Sequence, residues 1–311
     1  MKGKAIVKIV ICSIVAAVLI AALAGALLTK DIFSGLKSSG LDLPFDGVLH
    51  LGTFDESDYS IGSTELTDTV REIDLNWTSG DVTVKSYTGT TVVVRETERS
   101  AASERLRWKL ENGKLTIHEH KSGLSVKSLD KSLELLLPEK QAKAMVKIEI
   151  DGASARAVLE NLNVQEVELD TASGNSELKN CEIRKLDVDS ASGDCKVTDC
   201  RIDEFSMDSA SGAASLKGSV RELEMDTASG NLTAELTAVP EKMKVDSVSG
   251  DVEVRLPSDA GFTLKLSSVS GDVQIDGFAA SISGKTYVCG DGASEFDFES
   301  VSGDVSVRAV K

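Results

Sequence analysis

The chain has 311 residues, 41% of them apolar but only 4% aromatic, with a net charge of −16 and a pI near 4.7. That charge excludes nucleic acid as a partner, because phosphate binding needs clustered Lys and Arg. Few aromatics imply a core of Val, Leu, Ile, Ala and Met in narrow stacked layers, and 4 prolines with 25 glycines exclude a disordered or collagen-like chain.

Lys2, Lys4 and Lys8 precede an uncharged run of 20 residues from Ile9 to Leu28. At about 1.5 Å per residue such a helix spans roughly 30 Å, the thickness of a bilayer core. The basic flank predicts a cytoplasmic stub and one transmembrane helix over residues 1–30, a single-pass anchor in the cell membrane with the rest extracytoplasmic. A cleaved signal peptide competes, since Ala22, Ala24 and Gly25 offer small residues for cutting. Both readings place the body outside the cytoplasm.

Residues 31–64 are rich in Ser, Gly and Asp without periodicity and read as a flexible linker. Over 65–130, alternating segments such as Ile73–Leu75, Val82–Val84, Val92–Val94 and Leu115–Ile117 predict strands, and Asn112-Gly113 predicts a hairpin turn. The stretch ERSAASERLRWKL fits a short helix or a bulged strand.

Residues 131–311 repeat. Signatures of the form DTASGN or DSVSGD place glycine at 174, 193, 212, 230, 250, 271 and 303, spaced by 19, 19, 18, 20, 21 and 32 residues. Ala155 stands where glycine would in a degenerate copy, and Gly80 marks an isolated early one. Apolar residues lie seven and five positions before each glycine (Val167 and Leu169, Leu186 and Val188) and again four after it (Leu178, Val197). Two-residue spacing turns one strand face inward. A single unit cannot bury that face alone, so the pattern predicts an all-β, single-stranded β-solenoid (β-helix) of about 19–21-residue coils. A β-sandwich is the alternative. The 32-residue gap, which contains TYVCGDGAS, predicts a protruding loop or an irregular coil.

The phased SGD/SGN corners, the element Leu256, Pro257, Gly261 and Phe262, and the terminal SVSGDV resemble the bacterial putative-adhesin family, a family of unknown function. The resemblance runs from about Ile73 to the C-terminus. It implies an extracytoplasmic β-helical domain, commonly membrane-tethered, with relatives beside envelope-stress systems and no catalytic residues to transfer.

Several residue columns carry potential chemistry. Asp151, Asp170, Asp189, Asp208, Asp226 and Asp246 fall four residues before the glycines, so stacking would bring their charges about 5 Å apart. Either each carboxylate caps a corner amide, or a cation such as Ca²⁺ bridges neighbours. Glycine at the corner is expected to supply a positive φ, and the following Asp or Asn to bond its own backbone. The serines before each glycine predict a hydroxyl ladder. Cys181 and Cys200 share one phase and are candidates for a disulfide, the alternative being buried thiols. Cys195 reads as core. His118 and His120 flank Glu119 on what reads as an exposed strand edge; two ligands are too few for a metal site.

With carboxylates periodic rather than clustered and Trp77 and Trp108 outside the repeats, a polysaccharide-acting enzyme is a remote alternative. The expected function is noncatalytic and without a cofactor: an adhesin or cell-envelope scaffold. Its expected partners are an envelope polymer, a surface glycan or a membrane protein. An extracytoplasmic sensing module of a membrane-stress response is the second reading.

Overall fold

The computed structural model describes residues 54–97, 105–120 and 131–310, an all-β stack whose one α-helix among the described residues is Glu139–Ala142. The predicted transmembrane segment lies outside these residues. Among those described, no helix is long and apolar enough to cross a membrane.

Each coil gives one strand to each of two walls. In the coil 163–179 these are Asn163–Thr171 and Ser176–Lys179. Pairing between coils is parallel at the repeat period: Glu168 pairs with Asp187, Asp187 with Ser206, and Ser206 with Glu224. Because the offset equals the repeat, every inward residue stacks on its counterpart and the apolar columns become continuous. Val167, Leu186, Phe205, Leu223 and Met243 form one such column, each at most 2% exposed.

The corner sequence works differently from expectation. None of Gly174, Gly193, Gly212, Gly230 and Gly250 adopts a positive φ. What requires glycine is the approach of the neighbouring coil, since a Cβ on Gly193 would lie 1.9 Å from the Gly174 carbonyl oxygen. The corner amide is not capped by the Asp column either. It donates to the hydroxyl one residue later, from Gly174 N–H to Thr171 Oγ1 (2.8 Å) and from Gly193 N–H to Ser190 Oγ (2.6 Å). The Asp/Asn after glycine reaches across coils instead of to itself: Asn175 Oδ1 accepts Asp194 N–H (3.0 Å), and Asp194 Oδ1 accepts Ala213 N–H (2.9 Å). Ser192 and Ser211 do form a ladder, each donating to a carbonyl of the adjacent coil, Ala172 O and Ala191 O.

Spatial order departs from chain order at both ends. The coil 72–87, which carries Gly80, packs directly on 145–160, and the strands Lys114–His118 and Leu133–Pro138 pack outside it. The early glycine copy is therefore part of the stack. At the far end, 294–310 inserts between 242–257 and 262–276. The 32-residue gap is thus no protruding loop. It is the return path, through the antiparallel hairpin of Ala280–Ser283 and Thr286–Cys289, that brings the chain back by one rung.

The near end is closed by antiparallel strands, Arg107–Glu111 on Lys114–His118 and Val92–Glu96 on Leu133–Pro138. Beneath them lies a buried ion pair absent from the sequence reading. Lys131 Nζ sits 3.1 Å from Glu96 Oε2, both side chains 2% exposed, and 5.0 Å above the Trp77 ring. Glu96 Oε2 also accepts Leu106 N–H (3.0 Å), and Lys131 Nζ donates to the Glu119 carbonyl. Burial pushes the Lys131 ammonium below its ordinary range while the Glu96 carboxylate pulls the other way. Strand Lys114–His118 is not an edge. It lies between two strands, with His118 stacked on Phe54 at 4.0 Å and the buried Glu119 carboxylate accepting Thr78 N–H.

Candidate binding groove and acidic face

Asp151, Asp170, Asp189, Asp208, Asp226 and Asp246 stack in register along the outer face of the first wall, followed by Glu299. Lysines clamp parts of this face. Lys147 lies 3.2 Å from Glu149 and 2.6 Å from Glu168, and Lys244 lies 3.3 Å from Asp246. Elsewhere the repulsion is relieved by proton uptake. Burial, reinforced by neighbouring carboxylates, raises Asp151 and Asp189 to about 7 and Asp170 and Asp208 to about 6. Among the described residues no group of three or more His, Cys, Asp or Glu side chains is arranged to hold a metal ion.

The sign of the resulting pH dependence is fixed. Between about pH 4 and 7 the native ladder holds protons that the unfolded chain has released, so stability falls as pH rises through that window. Below about pH 4 the trend reverses as Glu134 and Glu177, held low by Lys85 and Lys179 respectively, lose their charge. Thermal melts will therefore show a Tm higher at pH 5.5 than at pH 8 by roughly 5 °C. Asp189→Asn will raise Tm at pH 8 and flatten the slope; an unchanged slope would show that the ladder carries no shared protons.

The second corner of each coil supplies the concave surface. Asn161, Asn180 and Asp199 occupy it with φ of 59°, 49° and 53°, and Gly218 follows with φ 145°. Left-handed backbone favours Asn, Asp and Gly, and here it turns the chain from the second wall back to the first. Asn180 Nδ2 donates to Asn161 Oδ1 at 2.7 Å, extending the ladder along the axis. The 19-residue recurrence of Asn161, Asn180 and Asp199 is the sequence signal for this corner, weaker than the SGD/SGN signature because it spans only three coils.

Beside these corners runs a groove of about 860 Å³ crossing successive coils from Tyr87 to Thr237. Its lining mixes uncharged polar residues, including Thr88, Asn161, Asn163, Asn180 and Ser219, with charges of both signs at Glu139, Lys143, Glu182, Asp199 and Arg201. A second groove of about 860 Å³ against the helix Glu139–Ala142 shares Tyr87, Thr88, Glu139 and Lys143 with it.

Cys181 and Cys200 lie in this wall of the groove, stacked on adjacent coils as their spacing predicts. The expected disulfide is not formed, and both are free thiols. Each sulfur instead donates to a carbonyl of its own corner, Lys179 O (3.2 Å) and Thr198 O (3.3 Å), while Cys200 Sγ accepts Cys181 N–H. Cys195 is buried in the core, where burial raises its thiol to about 12.

The family model of the Toastrack DUF4097 description matches residues 62–308. The chain belongs to this family. The resemblance read from the SGD/SGN corners is thereby upheld at the level of a β-repeat family of unknown function. This Toastrack chain is similar to a putative adhesin from Bacteroides fragilis, at 10% identity over 81% of this chain and 97% of that one, with a TM-score of 0.42. It is similar to a putative lipid binding protein from Parabacteroides distasonis, at 15% identity, 82% and 98% coverage, and a TM-score of 0.44. A putative adhesin from Parabacteroides merdae aligns at 13% identity over 82% and 97%, with a TM-score of 0.40. No curated protein matches the chain.

Proposed function

We propose that this chain is a noncatalytic adhesin or cell-envelope scaffold, held at the cell membrane by its N-terminal segment and facing outward. Its second-corner groove would take an extended hydroxyl- and amide-bearing polymer such as an envelope polysaccharide or surface glycan. The observation that carries the reading is the groove itself. It runs along the stack, and its polar groups recur at the coil spacing, which suits a repetitive chain better than a compact small molecule. The acidic outer face gives no phosphate-binding character. The corner hydroxyls of Thr171, Ser190 and Ser209 accept glycine amides, so they are engaged in turn structure rather than poised as nucleophiles.

Retention of the purified full chain on insoluble cell-wall polymer and on immobilised glycans tests this. Arg201→Ala, which alters an exposed groove residue, is expected to weaken retention at least tenfold with an unchanged melting curve. Recovery of a membrane-protein partner from native membranes, with no polymer retention, would transfer the chain to the sensing class.

A further inference from the structure

The two ends of the stack are finished differently. At the near end, charged strand Arg107–Glu111 lies toward the outside and the Glu96–Lys131 pair plugs the core. At the far end the apolar column simply runs out. It continues from Met243 through Phe296, Leu264 and Tyr287 to Ile282, in unbroken register. Phe296 and Leu264 are at most 1% exposed, but Ile282 is 65% exposed on the face that elsewhere points into the core. In the second wall, Val273 and Ile275 are likewise left half-buried on the outermost strand. Val269, in the loop of the same terminal coil, is 83% exposed.

Strand Ala280–Ser283 is also an open backbone edge. It pairs with Thr286–Cys289 on one side, and no described strand pairs with its other side. Edge strands normally carry charge, proline or a bulge that blocks further pairing. Here Gly277–Gly284 reads GFAASISG, eight residues without a charge in a chain of net charge −16. Terminal coils of repeat proteins need a polar outer face for solubility; on this edge strand the exposed polar side chains are only Ser281 and Ser283, and the charges of Asp276 and Lys285 stand just outside the eight residues.

We infer that this end is an interface between two copies of the chain. The strands Ala280–Ser283 pair antiparallel about a two-fold axis, and each Ile282 completes the other copy's core column. Antiparallel addition continues the pattern already set by the hairpin before it, and a strand antiparallel to itself is self-complementary. Charge selects the same occupant and geometry. Side-by-side packing would oppose the carboxylate ladders of two molecules, whereas end-to-end packing leaves both ladders on the flanks and joins the copies through the uncharged edge strand.

The mass of the full chain in detergent, measured by light scattering, decides the matter. The expected protein mass is twice the 32.9 kDa of one chain. Ile282→Lys is expected to raise the dimer dissociation constant at least about tenfold, because it sets a charge in an apolar joint. Val269→Lys, at a site too exposed to affect folding, is expected to weaken the dimer in the same direction. Val146→Lys, remote from the joint, is expected to leave it intact. Single-chain mass for the wild type at every concentration would overturn the inference. So would a dimer that survives both end-face variants, which would place the contact elsewhere, or open-ended larger assemblies, which would mean head-to-tail stacking.

Discussion

Gly193→Ala is expected to destabilise the stack by about 3 kcal/mol, at the upper end of ordinary overpacking, because the new methyl would sit 1.9 Å from the Gly174 carbonyl oxygen. Neither coil can yield without breaking its own pairing, since Ser176 N–H donates to Asp194 O at the foot of the same corner. The control separates this from conformational strain. Gly284 has φ 62° and nothing within 4 Å of its Cβ position. Asparagine tolerates that backbone, so Gly284→Asn is expected to cost about 1 kcal/mol or less. Gly193→Asn is expected to cost at least as much as Gly193→Ala. Urea midpoints compare the three; if asparagine rescues position 193, backbone conformation rather than coil approach is what glycine provides there.

The second large effect lies at the near end. Lys131→Met removes the cation from a buried carboxylate and is expected to cost about 3–5 kcal/mol, the usual penalty for orphaning one member of a buried pair. Arg105, 3.4 Å from Glu96 Oε1, is 38% exposed and compensates only in part. Combining it with Glu96→Gln removes the orphaned charge, so the double variant is expected to recover most of the loss in chemical denaturation. A single-variant loss below about 1 kcal/mol, within the range of an exposed pair, would mean that the cluster is hydrated rather than sealed.

The repeat and its phase were legible in the sequence because coil stacking needs the same residue at the same rung. The inward columns at Val167 and Leu186, the aligned aspartates and the adjacency of Cys181 to Cys200 all follow from 19-residue arithmetic. The physical role of each column was not, because spacing gives position but not contact. Gly193 and Asp194 answer to the neighbouring coil, not to their own turn, and a single repeat read alone offers only the local explanation. Intercalation of 294–310 was invisible for a related reason: phase fixes which residues stack, but not which coil comes next. The Glu96–Lys131 pair is 35 residues apart in sequence and belongs to no repeat, so no periodicity announces it. The second-corner groove was half visible, in Asn161, Asn180 and Asp199.

A stack of coils touching only their nearest neighbours ought to fray from its tips like a loosely wound spring. The displaced coils at both tips change that. The rung 294–310 is gripped on both faces by segments that precede it in the chain, 242–257 and 262–276. Peeling the outer coil therefore does not free it, and releasing it breaks two interfaces at once. Chain synthesis meets the mirror image of this constraint. The slot for 294–310 must stay open, or reopen, until those residues arrive, making closure of the far tip a late, long-range event in an otherwise local folding sequence.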